Sequence, residues 1–413
     1  MLKRILLLVA IFFIFLRLSA QKQSLDYYID RAIQNSPLLR DYQNQLSSAA
    51  VDSMLIRASQ KYQTDVTSQI SYAPVISDWG YDEALTNGAN IIGQFGVKQE
   101  IMNKNVLNTK FKGINIQKQS VSNNIKLSIN DLKKSITNQY LTTYGDFNDI
   151  EFTRGQLKIV NDQLALLKHL TENGVYKQSD YLSLLAEAQA QEMTITQLTG
   201  QYSSDLQSLN LLCGISDNKD VELATPVISE LKIENFNQSP LFMQFKIDSI
   251  RIENEKQLIA DQVKPKINWY ADAGMMSSTL TNIYKHFGVS AGISLKVPIY
   301  DGGQRKLETQ KLTISENTRS SYQNYFKSQY QQQVYQIYSE LSNLNRVVEQ
   351  VKKQLATSKE LIEISRTQLS NGAIPVTDYL NALRNHSVIN RTINQSEIKR
   401  LALINALNYL KQQ

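Results

Sequence analysis

One decapeptide occurs twice in this chain. "NGVYKQSDYL" at 173–182 returns as "NGAIPVTDYL" at 371–380, a shift of 198 residues. Asn173, Gly174, Asp180, Tyr181 and Leu182 match Asn371, Gly372, Asp378, Tyr379 and Leu380. The same shift aligns Leu185 with Leu383, Leu209 with Leu407, Asn210 with Asn408 and Leu212 with Leu410, and it places Ile101 on Ile299. Nearer each start, "NSPLL" at 35–39 and "QSPLF" at 238–242 correspond with a shift of 203. The first half therefore carries roughly five extra residues between about 62 and 90, most simply in a hairpin loop. A unit written twice constrains the fold more than any single motif. The halves run over 21–213 and 241–413, and 214–240 links them.

Proline is absent from 75 to 225 and from 299 to 374. Such stretches, rich in Gln, Leu, Lys, Ser and Ala, suit long helices. Val334, Ile337, Leu341, Leu344, Val348, Val351 and Leu355 recur at alternating steps of three and four, a heptad seam. Leu157, Val160, Leu164 and Leu167 repeat that spacing in the first half. A helix over about 303–369 would reach ~100 Å at the usual rise per residue, so it must line up with other helices rather than bury itself in one compact domain. A returning helix is expected at about 377–410.

Before the long helix the period changes to two. Phe287, Val289, Ala291, Ile293, Leu295, Val297 and Ile299 alternate with Gly288, Ser290, Gly292, Ser294, Lys296 and Pro298. Ile267, Trp269, Ala271 and Ala273 alternate upstream, so 266–300 reads as a β-hairpin turning near 280–285. Weaker alternation at Val66, Ile70 and Tyr72, then at Ile91, Phe95, Val97 and Ile101, predicts its counterpart at about 62–102. Strands of this length are long enough to cross an outer membrane when tilted, although a hairpin on a soluble core has the same period.

The segment Pro298-Ile299-Tyr300-Asp301-Gly302-Gly303 falls where strand gives way to helix. Glycines there resemble a phosphate cradle, but the counterpart, Asn103-Lys104-Asn105, has none, and no Walker lysine follows. The reading is a strand-to-helix corner, with Asp301 capping the helix and Gly302 and Gly303 relaxing the bend.

Lys3 and Arg4, an unbroken apolar run over Ile5–Leu16 and Leu18-Ser19-Ala20 read as a secretory signal at 1–20. Without Lys3, Arg4 and Arg17 the 44 basic residues become 41 against 38 acidic ones, +3, which gives no support for nucleic-acid binding. Cys213 stands alone and reads as a small buried apolar residue. His169, His286 and His386 are isolated, and no GxSxG, HExxH or GxxxxGK[ST] pattern appears, so neither an enzyme nor a metal or cofactor site is expected.

Together, the signal, two copies of helix–hairpin–long helix–helix, "VPIYDGG" before the second long helix and NG-x4-[ST]-DYL in both copies resemble the TolC-like outer membrane efflux proteins, over nearly all of the mature chain. The resemblance implies a mainly α fold with a membrane β-barrel portion. Coiled-coil α-hairpins and two β-hairpins per chain would form a homotrimer with a twelve-stranded barrel and a periplasmic α-barrel. It also implies an outer membrane location in a Gram-negative bacterium and a passive exit duct of a tripartite efflux or type I secretion system. The partners would be outer membrane lipid, a periplasmic adaptor protein and an inner-membrane transporter of RND, ABC or MFS type. On this resemblance Asn173, Gly174, Ser179, Asp180, Asn371, Gly372, Thr377 and Asp378 form the periplasmic tip, which meets the adaptor and closes the tunnel.

Locally the same residues read as helix–turn–helix: Gly174 and Gly372 as C-caps, Ser179 and Thr377 as N-caps of the returning helices, and Asp180 and Asp378 as favoured by their dipoles. Three copies of Asp378 around a narrow mouth would favour cations. Cap and gate are compatible roles. Ser183 and Asn381 stand where some relatives carry a further acid, which argues against a double acidic ring. Tyr72, Trp79, Tyr81, Trp269, Tyr270 and Tyr284 are candidates for an interfacial aromatic belt. The competing reading is a periplasmic coiled-coil adaptor without a pore, which would have no need of membrane-length strands repeated in each half.

Overall fold

The computed structural model describes residues 22–74, 76, 77, 79, 80, 88–217, 221–231, 239–278 and 281–412. Residues 1–20, read in the sequence as a secretory signal, Tyr81 and parts of the expected hairpin loops and linker lie outside them. The described elements run α1 (Leu25–Asn35), α2 (Pro37–Ala58), β1 (Gln63–Ala73), β2 (Gly88–Ile101), α3 (Lys104–Glu172), α4 (Gln178–Leu212), α5 (Pro240–Asp261), β3 (Lys266–Ser277), β4 (Phe287–Lys296), α6 (Gln304–Ser370) and α7 (Val376–Gln412). From α2 onward the two halves match one to one. Helices α2 and α5 have 22 residues each, α3 and α6 have 69 and 67, and α4 and α7 have 35 and 37. Even their starts agree: the Ser36 and Ser239 hydroxyls accept from Leu39 N and Phe242 N, each at 3.4 Å. The inserted residues fall between β1 and β2, where the connection spans 74–87 against 278–286 in the second hairpin.

The chain divides into two compact units, each built from both halves. The sheet unit, Asp41–Asn124 with Met243–Asn324, holds one antiparallel sheet in the order β1-β2-β3-β4. The central pairing, Ile91↔Ser277 through Ile101↔Ile267, joins the two halves. Strict alternation places Val66, Ile70, Phe95, Trp269, Val289 and Ile293 on one face. Val66 is 78% exposed, and Val289 and Ile293 are each 79% exposed. The opposite face is polar. Lys98 Nζ reaches Asp65 Oδ2 at 2.7 Å, and Ser290 Oγ donates to Asp272 Oδ2 at 2.8 Å. Glycine is required on this face: a Cβ at Gly292 would stand 2.6 Å from the Tyr270 hydroxyl, and one at Gly274 2.2 Å from Gly93 O. Among the described residues β1 and β4 pair on one side only, so each leaves a free edge.

The helical unit comprises the described residues within Met1–Arg40, Ile125–Phe242 and Tyr325–Gln413. One core gathers Tyr28, Ala32, Ile136, Tyr140, Ile150, Tyr202, Leu206, Leu209, Cys213 and Leu223. There Tyr28 and Tyr140 meet edge to face at 5.8 Å, and the Tyr140 hydroxyl lies 2.9 Å from Gln23 O and 2.6 Å from Ala224 O. Cys213 is fully buried, as its isolation in the sequence suggested, and burial pushes its thiol up to about 12. The heptad seam is also a core seam, with Leu341, Leu344, Val348 and Val351 buried.

Candidate gate at the paired helical turns

Each long helix in the helical unit ends in the repeated motif, and the two endings have the same geometry. Gly174 has φ +74° and Gly372 φ +68°, the left-handed region open to glycine without a Cβ penalty. At the first turn Val175 N donates to Leu170 O at 2.9 Å and Gly174 N to Thr171 O at 3.0 Å. At the second, Ala373 N donates to Gln368 O at 2.9 Å and Gly372 N to Leu369 O at 3.1 Å. Both are Schellman closures, which satisfy the last carbonyls of the helix. Asn173 Nδ2 adds a bond to His169 O at 3.0 Å.

The returning helices start earlier than the sequence suggested. Lys177 and Pro375 precede the first helical residues, Gln178 and Val376, so Ser179 and Thr377 lie inside the first turn and are not N-caps. The reason is the acid three residues into α4. Asp180 Oδ2 accepts from Lys177 N at 3.1 Å and so caps the helix from within. Pro375 has no N–H for Asp378 to accept. Asp180 is half-buried and committed to its cap, whereas Asp378 is exposed and its carboxylate makes no hydrogen bond or ion pair among the described residues, its N–H alone donating to Pro375 O at 3.1 Å. The two acids match in sequence but not in role.

The turns also pack against each other. The Tyr176 hydroxyl lies 2.8 Å from Leu369 O and 2.9 Å from Ile374 O, so its single proton bridges to the second turn. A Cβ on Gly372 would meet Val175 Cγ1 at 3.0 Å. Beneath them Val160, Leu167, Leu184, Ala188, Ile362, Leu369, Val376, Tyr379, Leu380, Ala382 and Leu383 form a core from all four helix ends. That core uses the repeated motif asymmetrically. Tyr379 and Leu380 are buried, while Leu182, the partner of Leu380, is 50% exposed and Val175 is also exposed. Burial pushes the Tyr379 hydroxyl up to about 12, and its oxygen has no hydrogen-bond partner among the described residues.

Further along, Arg384 Nε and Nη2 both reach Glu187 Oε2, at 3.0 and 2.9 Å, and Gln191 Nε2 holds the other oxygen at 3.3 Å. Glu187 is buried, which makes this the one tight charged link between α4 and α7 near the turns among the described residues. Sequence reading missed Tyr176, Val175, Glu187 and Arg384. Only Tyr176 left a trace, as the aromatic that stands where the second copy has Ile374.

The strand-to-helix corner belongs to the sheet unit. Asp301 Oδ1 accepts from Gly303 N at 2.9 Å and Oδ2 from Arg305 N at 3.2 Å, so Asp301 caps α6. These N–H groups hold its carboxyl below the usual range. Gly302 and Gly303 have φ of +67° and +84°. In the first copy Asn103 Oδ1 accepts from Asn105 N at 2.8 Å without left-handed residues. Pro298 lies just past β4. No group of three or more His, Cys, Asp or Glu side chains among the described residues is arranged to hold a metal.

The element order, with long helices, paired glycine turns and a four-stranded sheet, is shared with several solved outer membrane channels. The chain has the fold of CusC, whose structures concern transmembrane channel formation, at TM-score 0.74 and 13% identity over 94% of this chain and 91% of that one. It likewise matches the outer membrane protein VceC of Vibrio cholerae, at TM-score 0.72 and 13% identity over 94% and 96% of the two chains. The open-state MtrE outer membrane channel of Neisseria gonorrhoeae matches at TM-score 0.71 and 14% identity, over 94% of this chain and 88% of that one. No family model and no curated protein sequence matches.

Proposed function

We propose that the chain is an outer membrane channel-tunnel. In this reading it is the passive exit duct of a tripartite efflux or type I secretion system, working as a homotrimer. The observation that carries it is the sheet: four strands of 10 to 14 residues, apolar and exposed on one face, polar on the other, and unpaired at both edges. Lipid tolerates no open sheet edge, and three such sheets closing edge to edge give twelve strands with an apolar outside and a polar lumen. A coiled-coil adaptor gives no reason for that face. Residues 1–20 would be the leader, 21–213 and 241–413 the two structural repeats, and 214–240 their linker.

The paired turns are then the periplasmic tip. Asn173, Gly174, Asn371 and Gly372 shape it, Ser179 and Thr377 lie on its exposed first turns, and Asp180 fixes one of them. The free carboxylate of Asp378 is the group for the lumen, where a ring of three would attract cations. Exposed Val175 and Leu182 offer apolar surface to a neighbouring protomer or to the adaptor. Purified mature protein should float with lipid vesicles and have the mass of a trimer in detergent. A protein that stays in the aqueous fraction as a monomer would refute the channel.

A further inference from the structure

Adjacent residues of a strand point to opposite faces of the sheet, and in β3 this separates Trp269 from Tyr270. Trp269 lies on the apolar face, where its Nε1 donates to Gln99 Oε1 at 3.0 Å. Tyr270 lies on the polar face and so has no place in a lipid-facing aromatic belt. Its cross-strand partners are Lys98 on β2 and Gly292 on β4. Paired strands lie about 4.8 Å apart, and the phenol ring leans across that gap. A Cβ at Gly292 would stand 2.6 Å from the Tyr270 hydroxyl oxygen, 2.7 Å from Cζ and 2.9 Å from Cε1. The far end of the ring therefore covers the Gly292 backbone instead of standing up from the sheet. On the other side Lys98 is tied down, its Nζ turned away to Asp65 Oδ2 at 2.7 Å. Around the ring the same face carries only short side chains, Gly96, Asn268, Asp272, Ser290 and Ser294, with Ser290 Oγ donating to Asp272 Oδ2 at 2.8 Å. Lifted off Gly292, Tyr270 would overtop all of these.

We infer that the Tyr270–Gly292 pair sets the size of solute that the duct admits. This rests on the proposed channel reading, in which the polar face lines the lumen. Each protomer then contributes one phenol ring at the same level of the barrel. Folded flat over Gly292 the rings are part of the wall and leave the bore clear. With any side chain at 292 they must rise into it. A barrel of twelve strands lies between those of about eight, whose interior side chains fill, and those of about sixteen, which leave an aqueous channel, so one large residue per protomer matters to its bore. An aromatic laid over an edge-strand glycine also shields the backbone. Shielding alone would affect stability and leave passage unchanged.

The test is thiol labelling of Lys296→Cys, which lies four residues beyond Gly292 on the same face of β4, toward the helices. The native Cys213 is buried, so the added thiol alone reports. Intact Gram-negative cells exporting the full chain are treated from outside with a small maleimide or with one carrying a polyethylene glycol chain. The polymer cannot cross the outer membrane, so it reaches the thiol only through the barrel. With Gly292 in place both reagents should label. Gly292→Ala should slow the polymer reagent about tenfold, equivalent to about 1.4 kcal/mol added to its passage, and leave the small one unchanged. Adding Tyr270→Ala to Gly292→Ala should restore the original rate. Equal polymer labelling with and without Gly292→Ala overturns the inference. So does slowing that survives Tyr270→Ala, or a trimer with Gly292 in place that the polymer never labels. If Gly292→Ala fails to fold, Tyr270→Ala alone decides: an unchanged rate supports a ring already flat, and a rate raised about tenfold shows a ring standing in the bore and overturns the inference. Mass in detergent, measured on the same variants, separates the two readings. A monomer refutes the channel, whereas a trimer indifferent to Gly292→Ala refutes only the role of the ring.

Discussion

Replacing Tyr176 with Phe keeps the ring in the core between the paired turns and removes one proton. That proton is the hydrogen bond from the α3–α4 turn to the second turn, shared between Leu369 O and Ile374 O. A buried carbonyl stripped of its donor costs about 1–3 kcal/mol. Leu369 O keeps the Gly372 N–H at 3.1 Å, which places the loss at the lower end, about 1–1.5 kcal/mol. If opening the tip parts the two turns, the bond exists only in the closed state, and its loss shifts the equilibrium toward open by roughly five- to tenfold. Single-channel recording in a planar bilayer measures this as a rise in open probability, with the trimer confirmed by mass. A Tyr176→Phe trimer whose open probability equals the wild type would mean that the two turns move as one body, and the latch reasoning would fall.

Asp180→Asn should weaken the α4 cap, by about 1 kcal/mol or less in thermal unfolding, and leave ion selectivity alone. Asp378→Asn should reduce cation preference and leave stability unchanged, so equal behaviour of the two variants would contradict their separate roles. Gly174→Ala meets open space and should cost about 1–2 kcal/mol for its left-handed φ alone, whereas Gly372→Ala also crowds Val175 and should cost more; the order of their melting temperatures decides. Burial, together with the neighbouring Asp205 and Asp149, pushes Asp146 up to about 7. Its folded pKa then lies above the unfolded value near 3.9, so the native state binds the extra proton and loses stability as pH rises from about 4 to 7. Asp146→Asn should be more stable than wild type at pH 8, with the difference shrinking toward pH 5. A difference independent of pH would refute that environment for Asp146.

Much of the architecture was legible because it depends on local periodicity. Phe287 through Ile299 alternate cleanly, and that run is β4 and the corner after it. The seam from Leu341 to Val351 is buried as its spacing required, and the five-residue offset between the halves is the longer β1–β2 connection. β1 read weakly because Ser68 interrupts its apolar face between Val66 and Ile70, a gap that the register opposite Gly93 makes harmless. What the sequence hid depends on contacts between halves. Ser179 and Thr377 looked like N-caps because their residue type suits that place, but the cap is decided by Asp180 reaching back to Lys177 and by Pro375, which has no N–H. The repeated Asp-Tyr-Leu appeared equivalent in both copies. Only packing shows that Tyr379 and Leu380 fill the core while Leu182 stays exposed and Asp378 free. Glu187 and Arg384 come from different halves at positions that the repeat does not align, so no spacing could pair them.

Conductance of the purified mature protein in a planar lipid bilayer tests most directly whether the chain forms a conducting trimer, with oligomeric mass taken on the same preparation. A trimer giving small, cation-selective openings that widen with Asp378→Ala is the predicted result. A water-soluble protein that never inserts and never conducts would contradict it.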